Sequence, residues 1–317
     1  MTPHRIVFVD RDSLPVPISI SGFPHEYRDY PASRPEELAE RLAAADIVIT
    51  NKVPFSRATL EQLPNLKMLA VAATGVNMID LAACKERGVA VANVRQYGDQ
   101  AVAEHAFMLM MALMRNLPAY QRDVAAGLWE NAPQFCHFGA PVRDLAGATL
   151  AIVGAGGIGQ ALAERARAFG MTVLFAEHKG ATSVRDGYTA FDEMLASADV
   201  ISLHCPLNAA TEHLIGEAEL VAIKPGAVLI NTARGGLIDE NALIAALKYG
   251  QLGGAGVDVL SEEPPRGGNV LLKSRLPHLI VTPHVAWTSQ QAMRTLATQV
   301  AENIEAFVAG ERLRRVV

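Results

Sequence analysis

The sequence predicts an α/β protein made of two doubly wound parallel sheets. Three observations carry this. Short β-rich runs alternate with helix-patterned segments through the first ninety or so residues, the same alternation starts again near residue 149, and the second series opens on the glycine-rich turn ATLAIVGAGGIG at 148–159. Alternation of this kind argues for parallel strands joined by helical crossovers. A chain of 317 residues is long enough for two domains with a core each.

In the first series strands are expected at 6–9, 26–30, 47–50, 68–72 and 89–92, and helices at 35–45, 56–62 and 79–87. Pro35 and Ser56 are start signals and Gly88 is a stop. Residues 100–117 read as one long helix, apolar on more than one face, and a helix that is hydrophobic nearly all round is buried between domains or between subunits. Its methionines are read as core filling. Glu104 and His105 inside it are either a polar spot near a site or paired core residues. The segment 119–145, with Trp129, Pro133 and Pro141, reads as a connection.

The second series predicts strands at 149–153, 172–175, 200–204, 227–231, 254–257 and 279–282, with helices at 160–169, 192–198, 217–223 and 240–248, and a final helix at 289–309 that stops at Gly310. Strands with right-handed crossovers form an open sheet whose ligands bind at the carboxyl ends of the strands. That edge carries His204, the residues 231–234, Asp258, Pro283 and His284.

A net charge of -5 and a pI near 6.0 give no reason to expect a nucleic-acid partner. Arg312, Arg314 and Arg315 read as a solvated end. Cys84, Cys136 and Cys205 are odd in number and widely spaced, which indicates neither a disulfide framework nor a metal site and fits a reducing cytoplasm. The first residues hold too short an apolar run for a secretory signal. The apolar stretch 106–114 is far shorter than the ~20 residues of a membrane span, so no membrane segment is expected.

The glycines of the turn have distinct duties. Gly154 permits the turn, Gly156 lets backbone approach a pyrophosphate, and Gly159 lets helix and strand pack closely. The N–H groups at the helix start then face the phosphates. The next apolar run ends in Glu177, about 20 residues on, where a ribose-binding carboxylate is expected. These features predict a dinucleotide site.

Three further stretches put polar residues just past strands of the second series: NTARGG at 231–236, DVLSEEPP at 258–265 and TPHVAW at 282–287. Singly each has a plain alternative: Arg234 as a surface ion-pair partner, Glu263 as a solvated loop acid, His284 as a capping or core histidine. Jointly they form a chemically complete set for hydride reduction of a 2-keto acid. Arg234 supplies a planar fork of donors for a carboxylate. His284 is the natural proton donor, since the ordinary histidine pKa of about 6.5 is near working pH. Glu263 beside it would favour the protonated ring.

NTARGGLIDE, GAGVDVLSEEPP and TPHVAW, together with AATGVNMIDL, YGDQAVAEHAF, VGAGGIGQ and SLHCPL, resemble the D-isomer-specific 2-hydroxyacid dehydrogenase family in order and over almost the whole chain. The resemblance implies a flavodoxin-like substrate domain of residues 1–97 and 287–317, a Rossmann NAD-binding domain of residues 98–286, and a cleft between them. It implies a catalytic set of Arg234, Glu263 and His284, with Lys52, Thr74, Gly75 and Arg234 on the substrate. NAD contacts are expected from Gly154, Gly156, Gly157, Ile158, Gly159, Glu177, Cys205, Thr232, Ala233 and Asp258, the last near the nicotinamide carboxamide. It further implies a homodimer paired through the helix that starts near Gln100.

Within the family, TNKVPFS at 50–56 and Trp287 after the histidine are most similar to glycerate dehydrogenases, also called hydroxypyruvate reductases. Lys52 then faces the substrate, unless it is simply a solvated lysine after a strand. The resemblance thus implies reduction of hydroxypyruvate or glyoxylate, or the reverse oxidation of the D-2-hydroxy acid. Where the family usually has an aspartate after the second strand, this chain has Glu177 followed by His178 and Lys179. A carboxylate there accepts from ribose hydroxyls and repels a 2′-phosphate, which predicts at least a tenfold preference for NADH, roughly 1.4 kcal/mol. Lys179 leaves tolerance of NADP open. The competing readings are an NAD-sensing interaction protein of the corepressor kind on the same scaffold, and a methyltransferase using the glycine turn, which leaves the Arg, Glu and His stretches without a use.

Overall fold

Runs that are apolar without interruption become inner strands, because a parallel sheet is covered by helices on both faces. A computed structural model describes residues 3–317, in two units: residues up to 97 with 289–317, and residues 98–288.

In the first unit β1 (His4–Phe8), β2 (His25–Asp29), β3 (Ile47–Thr50), β4 (Met68–Val71) and β5 (Ala90–Ala92) form a parallel sheet in the order β2-β1-β3-β4-β5. Every residue of β3, β4 and β5 is buried, while the edge strand β2 is largely exposed. Three short helices cross over between strands: α1 (Leu38–Arg41), α2 (Arg57–Glu61) and α3 (Leu81–Glu86). Ser56 caps α2 by accepting from Thr59 N, and Asp80 caps α3 by accepting from Ala83 N, as side-chain oxygens at helix starts do. The helix expected at 35–45 is shorter: Pro35–Glu37 form a 3₁₀ turn and only Leu38–Arg41 are α-helical.

The second unit opens with α4 (Asp99–Met114) and α5 (Leu117–Ala125). The single helix expected over 100–117 is broken at Asn116, which takes the left-handed conformation at φ +50, and the chain resumes as α5 inside the stretch read as a plain connection. The sheet follows, with β6 (Thr149–Val153), α6 (Gly157–Ala168), β7 (Thr172–Ala176), β8 (Tyr188–Thr189), α7 (Phe191–Ser197), β9 (Val200–Leu203), α8 (Glu217–Ala222), β10 (Ala227–Asn231), α9 (Glu240–Lys248), β11 (Leu252–Val257), α10 (Val270–Ser274) and β12 (Leu279–Val281). All pairs are parallel and the order is β12-β11-β10-β9-β6-β7-β8. The strand order therefore reverses between β6 and β9, the switch point where such sheets open a ligand crevice.

One face of this sheet is covered by α7, α8 and α9 around Leu195, Ile201, Leu229 and Leu243. On the other face α4 and α6 pack around Leu109, Leu113, Ile152 and Leu162. Glycine in β11 allows the approach of α4: a β-carbon at Gly254 or Gly256 would press on Leu113 or Leu109 at 3.0 Å. The last helix, α11 (Gln290–Val308), is capped by Ser289 and packs on β4 of the first unit, burying Leu296, Val300 and Ile304. Both sheets are of the doubly wound α/β class.

Candidate active site

The glycine turn sits at the switch point. Gly154 leaves β6 at φ +108, and a β-carbon on it would lie 2.6 Å from the carbonyl oxygen of His204, the residue after the neighbouring β9. Only glycine lets these two strand ends close together. A β-carbon on Gly159 would strike the carbonyl oxygen of Gly154, so the third glycine seats α6 on the turn. Gly156 caps α6 with nothing within 4 Å of where a side chain would go, and Gly157 and Ile158 form the first turn of that helix. A β-carbon on Gly157 would meet the Asp99 carboxylate.

Along the same edge, beyond β9 and β10, lie Cys205, Thr232 and Ala233. Burial pushes the Cys205 thiol pKa up. Thr232 is buried and its Oγ1 has no hydrogen-bond partner among the described residues. Ala233 N donates to Asn231 Oδ1 at 3.0 Å. An open helix start, a glycine cradle and an orphaned hydroxyl on one sheet edge fit a dinucleotide.

Glu177, the residue after β7, is only 3% exposed. Its Oε1 accepts from His178 N at 2.8 Å and from Arg185 Nη2 at 2.7 Å, and its Oε2 from Arg185 Nε at 2.7 Å and Arg185 N at 3.1 Å. Hydrogen bonding to Arg185, with the His178 amide, brings its pKa down to about 2. The carboxylate expected to meet the adenosine ribose is thus already engaged by Arg185, a residue that sequence reasoning passed over. Lys179 is held by Glu219 at 2.7 Å.

The three stretches past β10, β11 and β12 converge in this unit. His284 Nδ1 lies 2.6 Å from Glu263 Oε2, and Glu263 Oε1 accepts from Leu260 N at 2.8 Å. The histidine sits in the left-handed conformation, φ +55, with its main-chain N–H shared between the carbonyls of Asp258 at 2.8 Å and Thr282 at 3.0 Å. Its Nε2 has no partner among the described residues. Arg234 is exposed, and its guanidinium donates to the carbonyl of Ala233 at 2.6 Å but pairs with no carboxylate among the described residues. Gly235 brings the Arg234 loop against the Glu263 loop, since a β-carbon there would overlap the Leu260 backbone.

Asp258 does something sequence reasoning did not find. It is 1% exposed, and its oxygens accept from Thr282 Oγ1 at 2.5 Å, Val285 N at 3.0 Å and Ala286 N at 2.8 Å. These bonds tie down the corner that carries His284. His105 Nε2, on α4, lies 3.0 Å from Thr282 Oγ1 and 3.6 Å from Asp258 Oδ1, so the polar spot in that helix belongs to the same network.

Lys52, Thr74 and Gly75 lie in the first unit. The Lys52 amide donates to the buried Asp10 carboxylate at 2.8 Å, beside two bonds from Asn51 N, which fixes the loop after β3. Burial raises the Asp10 pKa, against the lowering by these amides. The carbonyl of Thr74 accepts from Asn93 Nδ2 at 2.7 Å. Among the described residues no group of ligands is placed to hold a metal ion, and no helix is long and apolar enough to cross a membrane.

Comparison with known proteins follows the same lines. Residues 107–286 match the NAD binding domain of D-isomer specific 2-hydroxyacid dehydrogenases. Over 97% of this chain and 97% of the other, the sequence is 48% identical to a glycerate dehydrogenase of Methylorubrum extorquens. It is 37% identical to a hydroxypyruvate reductase of Blautia hydrogenotrophica over 87% of this chain and 86% of the other. Among solved structures, the TT0316 protein of Thermus thermophilus superposes with a TM-score of 0.85 at 31% identity, covering 99% of this chain and 100% of that one. The chain belongs to the D-isomer specific 2-hydroxyacid dehydrogenase family and is an NAD-linked oxidoreductase of small D-2-hydroxy acids.

Proposed function

We propose that this enzyme interconverts hydroxypyruvate and D-glycerate, and also takes glyoxylate, with Arg234, Glu263 and His284 as its catalytic set. The observation that carries the reading is the 2.6 Å contact between His284 Nδ1 and Glu263 Oε2. Glu263 holds the proton on Nδ1 and leaves Nε2 to face the substrate, so the ring delivers its Nε2 proton to the oxygen of the forming alcohol. NADH bound at the glycine turn would supply the hydride for the keto carbon. Arg234, unpaired with any carboxylate among the described residues, takes the substrate carboxylate with its two-pronged donor face. In the oxidative direction His284 starts neutral and removes the hydroxyl proton.

The second unit is the dinucleotide-binding domain in this reading. Gly154, Gly156, Gly157, Ile158 and Gly159 bear the pyrophosphate at the start of α6. Cys205, Thr232 and Ala233 border the nicotinamide end, and Glu177 with its partner Arg185 borders the adenosine ribose. Asp258 contributes through the His284 corner. The first unit is the substrate domain, with Lys52, Thr74 and Gly75 as its substrate contacts. The relatives named glycerate dehydrogenase and hydroxypyruvate reductase support this choice of acid.

Homodimerisation through α4, α5 and the segment after them belongs to the same proposal. Met108, Leu117, Val124, Trp129, Phe135 and Phe138 are all exposed there, and so much apolar surface in one region marks an interaction face. Three free cysteines fit the cytoplasm. The test of function is NADH oxidation across a panel of 2-keto acids: hydroxypyruvate and glyoxylate turn over fastest if the reading holds, and no turnover with any small 2-keto acid rejects it. Light scattering at low micromolar concentration tests the dimer.

A further inference from the structure

The residue expected to exclude NADPH is not a bare carboxylate in this structure. Glu177 and Arg185 form a two-pronged ion pair, with Nε and Nη2 each 2.7 Å from a carboxylate oxygen. The guanidinium also lies over the Tyr188 ring, 3.9 Å from its centroid, and the arginine side chain is half exposed where Glu177 is buried. Tyr188 belongs to β8, which pairs with β7, so ring and carboxylate hold the guanidinium from two sides. Nη1 makes no hydrogen bond among the described residues, so the arginine keeps donors for a further acceptor.

The charge at this strand end follows. A lone Glu177 would present one negative charge to a 2′-phosphate, but Arg185 offsets it. Lys179, the other cation in the loop, is bound to Glu219 at 2.7 Å, and His178 is exposed with Nδ1 3.0 Å from Glu177 Oε1. What faces solvent is a fixed guanidinium and not an acid. A planar fork with open donors is the group best suited to a phosphate monoester.

We propose that Arg185 is the cofactor-selecting residue of this enzyme: it masks Glu177 and receives the 2′-phosphate, so that the enzyme binds NADPH as well as NADH. The inference rests on the reading of this strand end as the adenosine ribose site. It replaces the tenfold NADH preference expected from Glu177 alone.

The test is the dissociation constant of each reduced dinucleotide, measured by titration calorimetry on wild type, Arg185→Gln, Arg185→Lys and Glu177→Gln. In wild type the two constants should lie within about threefold of each other. Arg185→Gln exposes the acid and removes the phosphate partner, so NADPH should weaken by at least about tenfold relative to NADH. Arg185→Lys should retain most NADPH binding, and Glu177→Gln should shift the ratio toward NADPH. A wild type that prefers NADH by about tenfold or more, or an Arg185→Gln that weakens both dinucleotides equally, would overturn the proposal. If wild type binds neither dinucleotide, the assignment of the site itself falls, and the proposal with it.

Discussion

His284 and Glu263 are 21 residues apart in sequence and 2.6 Å apart in space, ring Nδ1 to carboxylate Oε2. Replacing His284 by Ala should lower kcat by about 10²–10⁴-fold while the dissociation constant of NADH stays put, because in the proposed mechanism the ring moves a proton and does not hold the nucleotide. Glu263→Gln should cost less, on the order of tenfold in kcat, since an amide orients the ring but does not stabilise its cation. Stopped-flow turnover and NADH titration check both. Wild-type rates in His284→Ala would mean the proton comes from elsewhere.

Arg234 tests the carboxylate contact. Arg234→Lys keeps the charge and loses the fork, so catalytic efficiency with the keto acid should drop by about ten- to a hundredfold, the worth of one charge-assisted hydrogen bond. NADH affinity should not change. Equal efficiency in this variant would show that the carboxylate is bound some other way.

Asp258 gives a stability prediction as well as an activity one. In Asp258→Asn the side-chain NH₂ faces at least one of the donors Thr282 Oγ1, Val285 N and Ala286 N that the carboxylate now accepts. A buried donor left unpaired costs about 1–3 kcal/mol. Urea unfolding should show that loss, and kcat should fall because the His284 turn is no longer pinned. Loss of NADH binding with unchanged stability would instead favour a direct contact to the cofactor.

His204 makes stability depend on pH. Its Nε2 lies 2.8 Å from Ser202 Oγ, its Nδ1 is buried without a partner among the described residues, and burial lowers its pKa to about 4. The folded value lies below the ordinary 6.5, so between those values the unfolded chain binds the proton and the folded chain does not. Stability should be unaffected by this group above about pH 6.5, decline as pH falls toward 4, and lose roughly 2 kcal/mol to it near pH 5. Melting temperatures of wild type and His204→Gln, compared at pH 7 and pH 5, should diverge in that direction. Parallel pH curves would contradict the assignment.

Much of the architecture was legible in the chain. Uninterrupted apolar runs such as 47–50, 149–153 and 227–231 have one structural use, and the glycine turn marks where the second sheet begins. What escaped was local or long-range. Asn116 breaks the long helix through a left-handed backbone that an asparagine tolerates and no periodicity reveals. The two-residue β8 and the five-residue α10 are too short to leave a pattern. The polar residues at the strand ends could be found by position, but their partners could not. Whether Glu263 reaches His284, Arg185 covers Glu177, or Asp258 turns inward depends on side-chain directions that spacing does not encode. One signal for the Asp258 network was present: His105 in an otherwise apolar helix needs a buried partner.

The most direct measurement of the central claim is the identity and handedness of the product formed from hydroxypyruvate and NADH. Chiral chromatography of the reaction mixture should return D-glycerate as the sole enantiomer, in amounts equal to the NADH consumed. L-glycerate, a racemic mixture, or NADH consumption without glycerate would contradict the account.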